Sequence, residues 1–207
     1  MSTQNIKGGM DMSSSKNIEE IKRALRQISI QGNRCKEITH QLLNFARKTD
    51  SQKKSLHLNE LVKEVVAISN KKSYTGISIN TDLDQALPTF YGSPSEIQQI
   101  LLNLINNARY ALEKNGGKID IKTQLEEKHV LVVVEDNGPG IPKANLDRIF
   151  DPFFTTKPVG KGTGLGLSIC FGIIKRMGGE IKVNSTVDEG TRFEIRFLLE
   201  IPSLEKA

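Results

Sequence analysis

The chain has 207 residues with 29 Lys and Arg against 24 Asp and Glu, a formal charge of +5, 37% apolar and 5% aromatic content. That length suits one medium domain or a domain with an appendage, and the longest aliphatic run, Val130 to Val134, falls far short of the roughly 18 residues that cross a bilayer. The N-terminus lacks the apolar core of a signal peptide, and Cys35, Cys170 and three scattered histidines give neither a disulfide framework nor a zinc cluster, so a reducing, cytoplasmic setting is expected.

Residues 1–17 are rich in Ser, Gly, Met and Asn without an apolar period, which predicts a disordered leader. From Ile18 apolar or small residues recur in alternating steps of three and four: Ile21, Leu25, Ile28, Gly32, Cys35, Thr39, Leu42 and Ala46. This spacing predicts one long, coiled-coil-like amphipathic helix ending near Thr49, with Gly32 costing about 1 kcal/mol relative to Ala. Its stripe needs a partner helix, from another copy or another segment. Residues 1–54 hold 11 Lys and Arg against 5 Asp and Glu, whereas residues 55–207 hold 18 against 19. The positive charge therefore belongs to the N-terminal arm. With aromatics sparse beside it, no nucleic-acid partner is expected.

Residues 18–54 are thus read as helix and linker, residues 55–202 as a globular domain and residues 203–207 as a tail. Within the domain the pattern predicts helix 58–69, strand 76–83, a long buried helix 95–113, a hairpin of strands 118–125 and 129–135, a Gly- and Pro-rich stretch 137–162, helix 165–177, and strands 180–185 and 191–199. Paired strands with helices between them argue for an α+β two-layer sandwich, with helices on one face of a mixed, largely antiparallel sheet.

Three patches carry chemistry. On the helix 95–113, Asn103 and Asn107 lie four apart on one face, in an apolar setting where amides need polar company. Amide oxygens suit a hard cation such as Mg²⁺ held mostly by water and phosphate; a helix face with satisfied amides is an equal reading of these residues alone. Asp136-Asn137-Gly138-Pro139-Gly140-Ile141 follows the apolar strand. An ionised Asp accepts hydrogen bonds and cannot donate them, so it can bind the exocyclic amino group of adenine and disfavours the guanine carbonyl. By itself the string is often only a turn. Finally, Gly162-Thr163-Gly164-Leu165-Gly166-Leu167 opens a helix whose backbone N–H groups can bind phosphate, preceded by Phe150, Thr155, Thr156, Lys157 and Lys161. About 20 residues without regular pattern point to a lid.

In this order the patches make the chain resemble the ATP-binding domain of sensor histidine kinases, in the superfamily that also holds gyrase, mismatch-repair ATPases and a heat-shock chaperone. The resemblance runs from Leu56 to Pro202 and is greatest with the nitrogen-regulatory subgroup. It is carried by the asparagine box Asn103-Leu-Ile-Asn-Asn107-Ala, the first glycine box from Asp136, the phenylalanine box Phe150-Asp-Pro-Phe-Phe154, the second glycine box from Gly162, and the closing Gly190-Thr191-Arg-Phe193. It implies a Bergerat-type fold, ATP and Mg²⁺ as ligands, Asn107 as the metal ligand, Asn103 near the phosphates, Asp136 as adenine reader and Thr191 as its support. Tyr110 stands where many members have Lys, so phosphate charge is expected to be met by Arg109 or by Lys157 and Lys161. Asn103 stands where gyrase-type hydrolases carry a carboxylate base, and an amide cannot take a proton from water. ATP is therefore expected to be held for transfer and hydrolysed poorly.

The same resemblance makes the arm look like the second helix of a dimerisation hairpin, implying a homodimer, a partner helix carrying the phosphoacceptor His, and a response-regulator receiver domain as partner. His40, with Gln41 and Asn44, faintly echoes the acceptor box, but Phe45 replaces its Pro and too few positions lie between His40 and Asn103 for another bundle helix. The acceptor helix is expected to be missing from this chain or supplied by another protein. The alternatives are an ATP-responsive interaction module without catalysis, and an anti-sigma-type serine kinase, which has no use for an Arg-rich heptad helix.

Overall fold

The computed structural model describes residues 17–29, 31–32, 53–70, 76–158 and 161–199. These fall into two units, residues 17–32 with 156–163 and residues 53–155 with 164–199. In the first unit residues 17–29 and 31–32 are helical (α1), and Ile18, Ile21, Leu25 and Ile28 are 52–66% exposed. The remainder of the long predicted helix, the leader and His40 lie outside the described residues.

The second unit runs β1 (Lys54–Leu56), α2 (Leu58–Asn70), β2 (Ile77–Leu83), β3 (Phe90–Gly92), α3 (Pro94–Leu112), β4 (Gly117–Glu126), β5 (His129–Asp136), α4 (Lys143–Leu146), α5 (Gly166–Arg176), β6 (Glu180–Thr186) and β7 (Gly190–Leu198). Five strands form one mixed sheet in the order β2-β4-β5-β7-β6, in which only the β2–β4 pair is parallel. A parallel neighbour requires a crossover; the chain makes it through β3 and α3. The expected two-layer arrangement holds, with α2, α3 and α5 on one face. The small sheet of β1 and β3 was not foreseen, since two three-residue strands carry no readable alternation. Lys54, read as linker, is the first residue of β1.

Sequence chemistry sets these elements. Ser93 caps α3, its hydroxyl accepting from the Glu96 N–H at 3.3 Å, and Pro94 follows at the first helical position, where a missing N–H costs nothing. Ile97, Ile100, Leu101, Leu104, Ile105, Ala108 and Leu112 make its buried stripe against Val130, Val132, Val134, Ile119 and Ile121 of the sheet. β5 is buried on both faces, which is why its sequence is a continuous aliphatic run. On the far face, Arg196 and Glu194 of β7 lie opposite Leu131 and Val133. A ladder of ion pairs, Glu126–Arg196–Glu194–Arg192–Glu135 at 2.8–3.2 Å, holds those long stems over the apolar strand.

Candidate functional site

The site begins at the end of β5. Asp136 is 8% exposed and pairs in register with Thr191 of β7, so the two side chains share one face. One carboxylate oxygen accepts the Gly138 N–H at 2.9 Å, closing an Asx turn, and the backbone N–H of Thr191 also reaches the carboxylate. Burial pushes this carboxyl above its ordinary value, and the two backbone donors oppose the shift. A carboxylate kept out of water yet already holding two N–H groups is poised to accept a further donor.

The glycines are required by close approach. A Cβ on Gly190 would run into the Asp136 carbonyl, and Gly140, at φ +68°, would carry one into the Thr186 carbonyl. The first glycine loop is thereby seated on the β6–β7 turn, where the Asp188 N–H donates to Pro139 O at 2.9 Å and the Ile141 N–H to the Ser185 hydroxyl at 2.8 Å. Asn137 is spent on structure, its side-chain oxygen accepting the Lys118 N–H at 2.7 Å.

Asn103 and Asn107 sit half-buried on one face of α3 while Asn106 is exposed. The Asn103 amide donates to Gly166 O at 3.2 Å and to Cys170 Sγ at 3.5 Å, tying α3 to the first turn of α5. That thiol is fully buried, and burial pushes it up to about 12, so it is an inert part of the interface. α5 starts without a side-chain cap, at Leu165, followed by half-buried Gly166 and Leu167. Gly164 lies just before them at φ +69°, its carbonyl accepting the Phe153 N–H at 3.0 Å. Phe150 packs on Phe171 of α5 with ring centroids 5.3 Å apart, and Thr155 is exposed. Thr156, Lys157, Lys161, Gly162 and Thr163 belong to the first unit; there the Lys161 N–H donates to Pro158 O, and burial holds the Lys157 ammonium below its ordinary value.

Arg109 departs from expectation. It is 6% exposed and donates to Ser69 O at 2.6 Å and to the Asn70 side-chain oxygen at 3.4 Å. α2 has no basic residue in its last turn, and the guanidinium from α3 supplies the missing positive charge at that C-terminus. Two residues past Asn107 the helix has turned by about 200°, so Arg109 cannot face the same way. Tyr110, the other neighbour expected at the phosphates, is half-buried on α3. Arg109→Ala should lower unfolding free energy by about 2–3 kcal/mol in a urea titration, because buried carbonyls lose a charged donor. Nucleotide affinity of the folded fraction should change less than threefold; a large affinity loss at unchanged stability would return Arg109 to the phosphates.

The residues present fit Mg²⁺ bound through a nucleotide. Among the described residues no group of three or more His, Cys, Asp or Glu could cage a metal. A half-buried amide on a rigid helix suits a cation that takes most ligands from phosphate and water. Ser185, at the end of the predicted strand 180–185, pairs with Thr191 at the start of the predicted strand 191–199, a pairing its own sequence does not mark.

Residues 92–201 match the family described as histidine kinase-, DNA gyrase B-, and HSP90-like ATPase. The chain is 35% identical over 186 residues to the sensor kinase CckA of Brucella abortus strain 2308, covering 83% of this chain and 20% of that protein. It is 38% identical over 166 residues to sporulation kinase A of Bacillus subtilis strain 168, covering 79% of this chain and 27% of that one. The chain thus spans 20–27% of the length of these two relatives. Among solved structures, the catalytic domain of histidine kinase ThkA superposes with a TM-score of 0.64 at 36% identity, covering 72% of this chain and 96% of that one. ThkA in complex with the response regulator TrrA gives 0.71 at 29% identity, over 93% of this chain and 56% of that one.

Proposed function

Because the chain belongs to the histidine kinase-, DNA gyrase B-, and HSP90-like ATPase family, we propose that it is the ATP-binding catalytic core of a protein-histidine kinase in a two-component signalling system. The observation that carries the reading is the buried carboxylate of Asp136 beside Thr191, in a domain whose α3 holds Asn103 and Asn107 half-buried on one face. Asp136 takes the adenine amino group; Gly138, Gly140 and Ile141 line the base. Asn107 holds Mg²⁺ on the triphosphate, and bound Mg²⁺ supplies charge neutralisation at the transferring phosphoryl group. The backbone of Gly164, Leu165, Gly166 and Leu167 faces the phosphates, with the Thr155 hydroxyl as a further donor from the same unit. Catalysis is then positioning and charge stabilisation for attack by a His imidazole.

Transfer is favoured over hydrolysis because the Asn103 amide, donating to Gly166 O, has no basic lone pair to take a proton from water. The acceptor His belongs to a dimerisation hairpin of which α1 is a part, and the basic arm serves a homodimer that docks a receiver domain in the cytoplasm. Similarity to kinases, among them one solved with its response regulator, supports this over an ATP-responsive module or a serine kinase.

Labelled Mg-ATP incubated with this chain and a separately supplied hairpin bearing the first helix should place acid-labile phosphate on the hairpin and leave this chain nearly unlabelled. Asn107→Ala should reduce transfer by at least a hundredfold. Label on His40 would overturn the placement of the acceptor, and rapid phosphate release without transfer would overturn the kinase reading.

A further inference from the structure

Ser185, on the edge strand β6, has no place in the boxes above, yet three hydrogen bonds meet on its hydroxyl. Its oxygen accepts the Ile141 N–H at 2.8 Å, it donates to Gly190 O at 2.8 Å, and it lies 3.0 Å from the Thr191 hydroxyl. A hydroxyl has one hydrogen. Gly190 O is a carbonyl and can only accept, so the Ser185 hydrogen is committed to it. In the Ser185–Thr191 contact the hydrogen must then come from Thr191. The Thr191 oxygen is left with lone pairs only, on the same face as the Asp136 carboxylate with which it pairs across β5 and β7.

We propose that Ser185 is a positioning residue which fixes the polarity of the Thr191 hydroxyl and thereby makes the base-reading end acceptor-only. This rests on the reading of Asp136 and Thr191 as the adenine-binding end. A 6-amino purine offers its two amino hydrogens to both acceptors. A 6-oxo purine offers N1–H to Asp136 but turns its carbonyl towards the lone pairs of Thr191, which cannot donate to it. Selectivity against 6-oxo purines is thus shared between the carboxylate and a hydroxyl whose hydrogen is spent elsewhere. The same Ser185 oxygen also anchors Ile141, so the glycine loop and the polarity of Thr191 are set by one group.

The test compares dissociation constants for Mg-ATP and Mg-ITP on the full 207-residue chain. In Ser185→Ala the Thr191 hydroxyl is free to turn its hydrogen to the 6-oxo group, and the preference for ATP over ITP should fall about five- to tenfold, mainly through tighter ITP. Ser185→Thr keeps the hydroxyl and should keep the preference. In a Thr191→Val background Ser185→Ala should leave the ratio unchanged, since the group it orients is gone. Should the Ala variant unfold, Ser185→Cys keeps the volume with only a weak donor and gives the same comparison. An unchanged ratio in Ser185→Ala, or an equal change with and without the Thr191 hydroxyl, would overturn the proposal. Equal ATP and ITP binding by the wild type, unaltered in Asp136→Asn, would instead overturn the adenine reading; preference lost in Asp136→Asn and kept in Ser185→Ala would overturn the role of Ser185 alone.

Discussion

Exchanging Asp136 for Asn should weaken Mg-ATP binding by one to two orders of magnitude, because a hydrogen bond to a charged acceptor contributes about 1.5–3 kcal/mol. The amide that replaces the carboxylate must place its NH₂ somewhere. One position is occupied by the Gly138 N–H at 2.9 Å, so the remaining one faces the base with a donor where an acceptor is needed. Stability should change little or rise, since a charge that burial disfavours has been removed. The pH dependence follows from the same shift. Burial raises the folded-state carboxyl above 3.8, so protonation, and with it the loss of adenine affinity, begins at a higher pH than for an ordinary Asp. Folding responds in the opposite sense: a raised acid favours the folded state fully below its unfolded value, and that contribution is lost as pH rises through the folded value. Acidification should therefore weaken ATP binding through this residue while the same residue steadies the unliganded domain; in Asp136→Asn both slopes should be absent. Calorimetric titration of ATP at several pH values measures the first slope and thermal melting the second. An Asn variant that binds ATP like the wild type would sink the assignment.

Legibility in the sequence divided along physical lines. Helices and long strands were readable because burial imposes a period: α3 alternates its apolar face over five turns, and the continuous Val130–Val134 run marks a strand covered on both sides. Asp136 and the glycines stood out only through the order of the patches along the chain, since each string by itself is often only a turn. β1 and β3 were not readable, since three residues make no period. Arg109 is not placed by its local sequence because its acceptor, Ser69 O, lies on α2, and the role of Ser185 lies in a cross-strand pair and in counting hydrogens. Residues whose partners come from distant elements leave no local mark.

Gly164→Ala should cost more in nucleotide affinity than in stability. The chain leaves the second unit after Thr155 and returns at Gly164, and just inside that excursion Phe153 and Gly164 are joined by the Phe153 N–H to Gly164 O bond of 3.0 Å. Both adopt left-handed backbone, φ 67° and 69°. A Cβ on Gly164 would collide with the backbone carbonyl and Cα of Phe153, atoms that no rotamer change can move aside. Left-handed backbone costs a non-glycine residue about 1–2 kcal/mol, and in a domain of this size that lowers the melting midpoint by roughly 2–8 °C. The affinity loss is larger because relief of the collision has a direction. Phe153 is tied to Gly164 O through its own N–H, and Gly164 is followed directly by Leu165 and Gly166, whose carbonyl is held by Asn103. Any shift of Gly164 either breaks that bond or turns the first amides of α5 away from the proposed phosphate position. Mg-ATP affinity should fall by about a hundredfold or more while Mg-free adenosine, which needs only the Asp136 end, binds as before. A variant that loses adenosine and ATP alike would show a general loosening of the domain, and one that binds both normally would remove Gly164 from the phosphate site.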